Sequence, residues 1–506
     1  MKPPTIDQGF DETTYLRLNP DVLVAVRAGK FSSGREHYEH YGRAEGRLAL
    51  APAALPRDCV MSTARQGQIY ETPVPILGVM DQIKLSASGG LFITGWVNDT
   101  LDPLETIELY VAGWAVAFSA RHLARIARPD TAAVTKLEAP YTLGFYGFLY
   151  AAQRLPAGQC TVVLRMKSGA ELALISMIEP TDDAVLRESV LHYMGAMSYK
   201  GPEDFALSAM VNPFMGAQLV DFSRMLTRRA VVSPYVKHFH QAARRIQVSI
   251  VICLEDETAP LAVQLAAFAG QSGLQAHEFI CVCAVPELAE AVLATVQMAH
   301  LVHGLEITLV LPSAKVSPAA AKNIGAEQAR GTRLLFVEAG ILPRGAAFAQ
   351  THLALCEAGK EVFGATLYAC SGGVAHAGLS FESETVPGLI VGQKTDVSLL
   401  SVKNIQTLPP TRLAPAVGEA FLSVSTGFFA AQDGFLEDYA FGMFEGLDFC
   451  LRASMAEQPA WVADLALDHM SLVKSAGKEV QRASKGMSRW LLTQNWLEVV
   501  RAGISL

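Results

Sequence analysis

The spacing of apolar positions changes along the chain. Between about residues 75 and 180, apolar and polar positions alternate in short runs separated by Gly, Pro and Asp, which predicts antiparallel strands. From residue 247 onward, short apolar runs rich in β-branched residues alternate with helical patterns. That order predicts a mostly parallel sheet with helices between its strands.

The remaining stretches complete a multidomain α/β plan. Residues 49–74 are Ala/Pro-rich and then polar, which is typical of a linker. The predicted segments are, in order, a small helical motif (9–48), the linker (49–74), an antiparallel β-sandwich module (75–180), a helical connector (183–246), the sheet domain (247–479) and a C-terminal amphipathic helix (480–506).

The C-terminal helix carries Trp490, Trp496 and several leucines at helical spacing. Such a stripe most simply packs on the sheet domain, and a surface for a protein assembly partner is the alternative.

Composition and charge limit the class of protein and the partners to be expected. The chain has 506 residues, of which 51% are hydrophobic and 18% charged, so it can bury several cores. Its formal charge of −8 and its lack of a basic tract argue against nucleic acid as a partner. The first residues lack the apolar core of a signal peptide, and no apolar run is long enough to span a membrane. Cytoplasmic residence is the default expectation, with non-classical release or incorporation into a surface assembly left open.

Histidines and cysteines give only weak signals. His37 and His40 lie on one predicted helical face without a third ligand, which favours a packed or surface pair. His238 and His240 fall in a predicted helix, where the two side chains point apart. The eight cysteines form no C-x-x-C pair and are typical of small buried hydrophobic residues.

The most specific signal lies in two stretches of the sheet domain. Residues 322–343 read KNIGAEQARGTRLLFVEAGILP, and residues 426–452 read TGFFAAQDGFLEDYAFGMFEGLDFCLR. The first resembles the family 2 glycosyltransferase pattern R-N-x-G-x-x-x-A-x-G followed by a strand and D-x-D, and the second resembles the acceptor-side segment of that family, with its E-D-x-D-L-x-x-R ending. His469 stands where a late histidine often follows. The resemblance covers about 225 residues and implies a GT-A fold.

The N-terminal segments also resemble known modules. Residues 9–48 are similar to a short bacterial helical motif, FDxxYYLxxNPDV followed by HYxxxGxxEGR, that often accompanies glycosyltransferase domains. Residues 75–180 resemble a β-rich accessory module of bacterial glycosyltransferases. Trp114 and Tyr110 are its candidates for stacking on sugar rings, whereas Trp96 falls inside an alternating strand and is predicted to be core.

The resemblance assigns roles that this sequence fills only in part. The D-x-D motif would place two carboxylates on Mg²⁺ or Mn²⁺, and Glu338-Ala-Gly340 keeps one of them. Asn323, Glu255 and Asp256 complete the predicted remnant of the donor and metal site. The second strand ends in Cys283-Ala284, which offers no strong acceptor for a nucleoside.

The position of the catalytic base is altered as well. The resemblance places the base at residue 446, which is glycine here, and leaves Glu445 and Asp448 as stand-ins. Three altered positions inside an intact frame favour a non-catalytic glycosyltransferase-like protein that binds a cell-surface polysaccharide or serves as an adhesin or scaffold. The alternative is an active inverting family 2 glycosyltransferase that uses a nucleotide sugar and Mg²⁺ or Mn²⁺.

Overall fold

The chain folds into two compact units, residues 1–226 and 227–506. The computed structural model describes residues 22, 25–26, 30–42, 51–52, 77–120, 123–131, 135, 142–150, 155–195, 218, 221, 233–240, 245–255, 259–313, 315–369, 373–382, 391–395, 409, 411–439, 442–470 and 478–501.

A nine-stranded sheet forms the body of the first unit. Its strands are β1 (Ala51–Pro52), β2 (Gly78–Ser86), β3 (Gly90–Val97), β4 (Leu104–Val111), β5 (Trp114–Ser119), β6 (Ala124–Ile126), β7 (Gly144–Tyr150), β8 (Gly158–Met166) and β9 (Glu171–Thr181). They follow the order β1-β5-β4-β8-β9-β2-β3-β7-β6. All neighbours are antiparallel except β2 and β9, which run parallel.

The strand-rich character of this unit is as predicted, but the two-sheet sandwich is not confirmed. The strands β1, β5, β4, β8 and β9 form one half of the sheet, and β2, β3, β7 and β6 form the other. The parallel β2–β9 pair joins these halves into one hydrogen-bonded sheet. The sheet nevertheless encloses a shared core, since Gly147 of β7 lies against Phe118 of β5 although the two strands stand far apart in the order. Trp96 is buried, as predicted.

Short helical elements accompany this sheet. Helix α1 (Gly34–His37) begins at Ser33, whose hydroxyl accepts from the Glu36 N–H, and continues as the π-helical turn Tyr38–Gly42. Helix α2 (Asp183–Gly195) packs Tyr193 on Phe92 and Tyr146.

The sequence of the 9–48 motif predicts a small core of Phe10, Tyr15, Leu16, Val22, Tyr38 and Tyr41, of which the first three lie outside the described residues. Val22 is buried as expected. Tyr41 is 52% exposed, so its assignment to that core is wrong. Beside it, His37 is buried with its ring edge-on to Phe31, and His40 bonds the Glu36 carbonyl.

The second unit is built on an eleven-stranded mixed sheet. Its strands are β10 (Tyr235–Phe239), β11 (Val248–Leu254), β12 (His277–Cys283), β13 (Ile307–Leu311), β14 (Arg333–Val337), β15 (Ile341–Pro343), β16 (Val362–Ala369), β17 (Val374–His376), β20 (Arg412–Leu413), β21 (Phe421–Ser425) and β22 (Ala460–His469). The path is β10-β13-β12-β11-β14-β21-β16-β22-β15, with β17 on β16 and β20 on β22. Strands β18 (Leu379–Glu382) and β19 (Val391–Thr395) form a separate pair.

Helices follow the strands of this sheet as the sequence pattern predicts. They are α3 (Ala259–Ala269), α4 (Ala289–His303), α5 (Pro318–Glu327), α6 (Phe348–Glu357), α7 (Thr426–Ala431), α8 (Glu445–Met455) and α9 (Lys478–Arg501). Serine side chains cap two of them, since Ser317 accepts from Ala320 N before α5 and Ser425 accepts from Phe428 N before α7.

The strand directions bring several chain ends to one edge of the sheet. β12, β13 and β14 run parallel to the neighbouring β11 or β12, and β22 runs parallel to β16. β21 is antiparallel to both β14 and β16. β11, β14 and β22 therefore end at the edge where β21 begins, which we call the carboxyl edge.

One predicted helix is a strand. The segment Tyr235–Phe239 pairs antiparallel with β13 along its whole length, because β13 would otherwise leave its backbone groups open at the sheet edge. His238 and His240 therefore share a face rather than pointing apart, and both rings reach Thr308 Oγ1, at 3.2 and 3.3 Å.

Among the described residues, no helix combines the length and apolar character that crossing a bilayer requires. The six described cysteines are free thiols.

Candidate active site at the carboxyl edge

Two groups predicted from the motifs meet at the carboxyl edge. Glu338 follows β14, and His469 ends β22, which reaches the same edge. Glu338 Oε2 lies 4.0 Å from His469 Nε2, and the Glu338 side chain is 42% exposed. The pair is open to solvent and can face a ligand.

A carboxylate and an imidazole at this separation fit a divalent cation that takes its other ligands from phosphate and water. Among the described residues, no group of three or more His, Cys, Asp or Glu side chains is arranged as a complete metal site. Any metal at Glu338 and His469 would thus depend on oxygens from a bound substrate.

A charged cluster lies deeper at the same edge. Lys322 of α5 donates to Glu445 Oε1 at 2.7 Å, and its ammonium nitrogen lies 3.9 Å from Glu419 Oε2. Glu445 is the first residue of α8, and Glu419 stands two residues before β21. We call Lys322, Glu419 and Glu445 the lysine–carboxyl cluster.

The two carboxyl groups of this cluster titrate in opposite directions. The pKa of Glu419 is raised well above its usual value, first because burial disfavours the charged form and then because Glu445 carries a like charge. Burial disfavours the charged form of Glu445, but Lys322 outweighs that effect and the pKa of Glu445 is lowered. Burial likewise opposes the charge of Lys322, yet Glu445, Glu419 and Glu255 together raise its pKa. The pKa of Glu419 is therefore raised and that of Glu445 lowered, so Glu445 is the carboxyl group of the cluster that ionises first as the pH rises.

Backbone contacts join the two groups of residues. The Glu338 N–H donates to the Ala420 carbonyl at 2.9 Å, one residue after Glu419. The His376 ring accepts from Gly418 N at 2.9 Å, one residue before it. Burial lowers the pKa of His376 to about 4, with smaller contributions from Arg412 and His469, so this ring is a neutral acceptor at pH 7.

Asp448 holds the framework of the site. It is 2% exposed, and it accepts from Arg452 Nε at 2.9 Å and from Trp496 Nε1 of α9 at 2.7 Å. Tyr439 also donates to it, at 3.4 Å. Ser488 of α9 donates to the carbonyl of Gly442, three residues before α8 begins. The C-terminal helix thus packs on the second unit and supports α8.

Asn323 holds a loop in the same way. Its amide donates to the Phe435 carbonyl at 2.9 Å and to Glu437 Oε1 at 3.0 Å, and its oxygen accepts from Phe435 N at 2.9 Å. All of these partners belong to the loop after α7. The geometry therefore gives Asn323 a positioning role, while its predicted part in donor binding stays a prediction.

The predicted donor residues of the first two strands are only partly placed. Glu255 directly follows β11, and its charge acts on Lys322 of the cluster. Asp256 lies outside the described residues. Cys283 ends β12 with its thiol donating to the Val285 carbonyl at 3.0 Å, and Ala284 is buried. The end of β12 thus offers no polar side chain of its own.

The two aromatic candidates of the first unit lie on opposite faces of its sheet. Trp114 pairs with Val111, a core residue, and packs partly against the core. Tyr110 pairs with Ala115, and its hydroxyl donates to Glu108 at 2.5 Å. Side chains of directly paired residues share a face, so Trp114 and Tyr110 cannot form one stacking platform.

Sequence reasoning missed Glu419, although it contributes a carboxyl group to the cluster. It stands in none of the recognised motifs, and only the approach of β21 to α8 brings it beside Glu445.

Comparisons with known proteins add little. No family model matches the sequence, and no curated protein matches it. Among solved structures, one similar chain is described as "Crystal structure of GalNAc-T7 with UDP, GalNAc and Mn2+", at 10% identity and a TM-score of 0.36, over 49% of this chain and 48% of that one. The chain thus spans about half the length of that neighbour, and so slight a likeness carries no argument about fold or function.

Proposed function

We propose that this protein is a glycosyltransferase that moves a sugar from a nucleotide-sugar donor to a glycan acceptor, with its site at the carboxyl edge. In this proposal the second unit is a GT-A domain of the family 2 type, and the first unit is an accessory module. The observation that carries the proposal is the convergence of the Glu338–His469 pair with the lysine–carboxyl cluster at one sheet edge.

Each part of that edge has a place in glycosyl transfer. Glu338 and His469 would hold Mg²⁺ or Mn²⁺ with the diphosphate of the donor, and the metal would neutralise the charge of the leaving nucleoside diphosphate. Asn323 holds the loop after α7 through Phe435, and Asp448 joins α8 to α9 through Trp496. The edge also lies outside the carboxyl ends of parallel strands, where ligands of open α/β sheets bind.

Metal-dependent nucleotide binding tests this proposal. UDP and GDP, each with and without Mn²⁺, are added to the full chain and the melting temperature is measured. A ligand at a hundred times its dissociation constant stabilises the folded state by about 2.7 kcal/mol. We expect a clear shift for one nucleotide with Mn²⁺, and its loss in His469→Ala.

His303→Ala is the matched control, because His303 lies exposed at the end of α4. It should leave the Mn²⁺-dependent shift unchanged. No shift with any nucleotide in the wild-type protein would contradict the proposed transferase.

A specific observation favours a second function. The end of β12, Cys283-Ala284, brings no polar side chain for a nucleoside, which suits a non-catalytic protein that binds a surface polysaccharide. In that case polysaccharide pull-down should persist without divalent metal and in Glu338→Ala, while nucleotides give no shift.

A further inference from the structure

The carboxyl group of Glu419 lies beside the place where a side chain at position 446 would stand. Gly446 is the second residue of α8, and a Cβ built on it would lie 3.0 Å from Glu419 Cβ and 3.3 Å from Glu419 Cα. A side chain at position 446 would therefore have to displace Glu419 by a few tenths of an ångström. Position 446 is also where the sequence resemblance expects the catalytic aspartate, so Glu419 brings a carboxyl group to that region from another segment.

A buried oxygen in the cluster points to a proton on Glu419. Glu445 is 1% exposed, and its Oε2 meets no donor among the described residues, whereas its Oε1 accepts from Lys322. A buried acceptor without a donor is costly. The carboxyl group of Glu419 interacts directly with Glu445, so a proton carried by Glu419 would supply the missing donor.

The loop before α8 is shaped around Glu419. Gly442, Met443 and Phe444 have φ values of 75°, 68° and 72°, a run in the left-handed region. For Met443 and Phe444 this conformation is strained, so the surrounding contacts must enforce it. The result is that Phe444 N donates to Glu419 Oε1 at 2.7 Å. The strained loop therefore orients the carboxyl group of Glu419.

Exposure separates the two glutamates. Glu445 is 1% exposed and is bound to the ammonium group of Lys322, so no substrate hydroxyl can reach it. The side chain of Glu419 retains 22% exposure and lies one residue from Ala420, which bonds the backbone of Glu338. Glu419 is therefore the carboxyl group of the cluster that a substrate can contact.

We propose that Glu419 is the catalytic base of the transfer, in place of the residue lost at position 446. The assignment rests on the proposed function. The acceptor hydroxyl gives its proton to the Glu419 carboxylate while its oxygen bonds the anomeric carbon of the donor. The bond from that carbon to the diphosphate oxygen breaks, and its electron pair leaves with the nucleoside diphosphate. Glu445 and Lys322 position Glu419, and the partly exposed Glu419 side chain returns the proton to solvent.

This arrangement sets the direction of the pH dependence. A base must be ionised to accept a proton, and the pKa of Glu419 is raised, so turnover should rise with pH through a value above the usual glutamate range. The titratable and charged groups that interact with Glu419 or with its partners in the cluster are Lys322, Glu445, Glu255, Cys253, Tyr439 and Cys450.

The test uses Glu419→Gln in the full chain, which keeps an acceptor for Phe444 N and changes little in volume. Nucleoside-diphosphate release is measured from UDP- and GDP-sugars with Mn²⁺ and a mixed glycan acceptor. A general base contributes about 10²–10⁴-fold, so we expect at least a hundredfold loss of kcat with nucleotide affinity within twofold of wild type. Turnover within threefold of wild type would overturn the assignment.

Two further readouts separate the possible failures. Glu357→Gln, on the exposed end of α6, is the matched control and should leave kcat within twofold. The alkaline rise in kcat should disappear from the residual activity of Glu419→Gln, and an unchanged pH profile would overturn the role as base. Infrared spectra report the proton without turnover, because wild type should show a protonated carboxyl band that persists above the usual pH range of glutamate and that Glu419→Gln lacks.

These results distinguish the inference from the function on which it rests. A wild-type protein that binds no nucleotide and turns over no donor overturns both. An active wild type with an equally active Glu419→Gln overturns only the assignment of Glu419.

Discussion

Replacing Lys322 by methionine removes the ammonium group that lies between Glu419 and Glu445. In the folded protein this nitrogen is 2.7 Å from Glu445 Oε1, and the two side chains are only 14% and 1% exposed. Methionine fills a similar volume without charge. The variant therefore leaves an ionised carboxylate in the interior without its cation.

The magnitude follows from the geometry. At an effective dielectric constant of about 20, opposite unit charges 2.7 Å apart attract by about 6 kcal/mol, from which the desolvation of both groups is subtracted. Removal of one partner of a buried pair costs about 3–5 kcal/mol, because the other charge remains buried. We expect Lys322→Met to lower the free energy of unfolding of the second unit by that amount at neutral pH.

The pH dependence has a definite sign. The pKa of Glu445 is lowered in the folded state, so the stability that it contributes is fully present above its usual pKa of 4.5 and is lost as the pH falls through the lowered value. Lys322→Met removes this contribution. Its destabilisation should therefore be largest at pH 7 and should shrink in acid, where Glu445 takes up a proton.

Urea unfolding followed by tryptophan fluorescence at pH 7 and pH 4 measures both effects. Lys315→Met, a matched change at an exposed lysine, should stay within about 0.5 kcal/mol of wild type. A loss below about 1 kcal/mol for Lys322→Met at pH 7, or a loss that does not depend on pH, would refute the buried ion pair.

Two further substitutions test the framework of the site. Trp496→Phe removes the 2.7 Å bond to Asp448 and should cost about 1.5–3 kcal/mol in urea unfolding, so a cost under 0.5 kcal/mol would show that this bond does not hold α9. Gly434→Ala combines a φ of 67° with a Cβ 2.7 Å from Asn323 Oδ1 and should lower the melting temperature more than Gly345→Ala, which has a φ of 72° and no heavy atom within 4 Å. Equal losses in the two alanine variants would contradict the Asn323 clamp.

The sheet of the second unit could be predicted from local pattern. β11, β12, β13 and β14 are short apolar runs buried on both faces, and such runs are visible in the sequence. Tyr235–Phe239 could not be found this way, because its strand form depends on the open edge of β13 rather than on its own residues.

Only some residues of the candidate site could be predicted from the sequence, for a similar reason. Glu338 and His469 belong to motifs with recognisable spacing, and the structure places them 4.0 Å apart. Glu419 has no motif, and its position beside Gly446 results from the antiparallel return of β21. Glu419 stands 27 positions before Gly446 in the chain, so their proximity is visible only in the fold.

The interpretation of the chain as non-catalytic depended on three altered positions. The structure places a titratable side chain beside two of them, His469 beside Glu338 and Glu419 beside Gly446. The third altered position is the end of β12, where Cys283 and Ala284 offer no strong acceptor for a nucleoside. Release of nucleoside diphosphate, measured directly, decides between the proposed transferase and the passive binder.

Nucleoside-diphosphate release by the wild-type chain, measured across UDP- and GDP-sugars with Mn²⁺ and a mixed glycan acceptor, tests the central claim most directly. The account predicts release that requires the acceptor and the metal and that falls at least a hundredfold in Glu419→Gln. A wild-type protein that binds polysaccharide but releases no nucleoside diphosphate from any donor would contradict it.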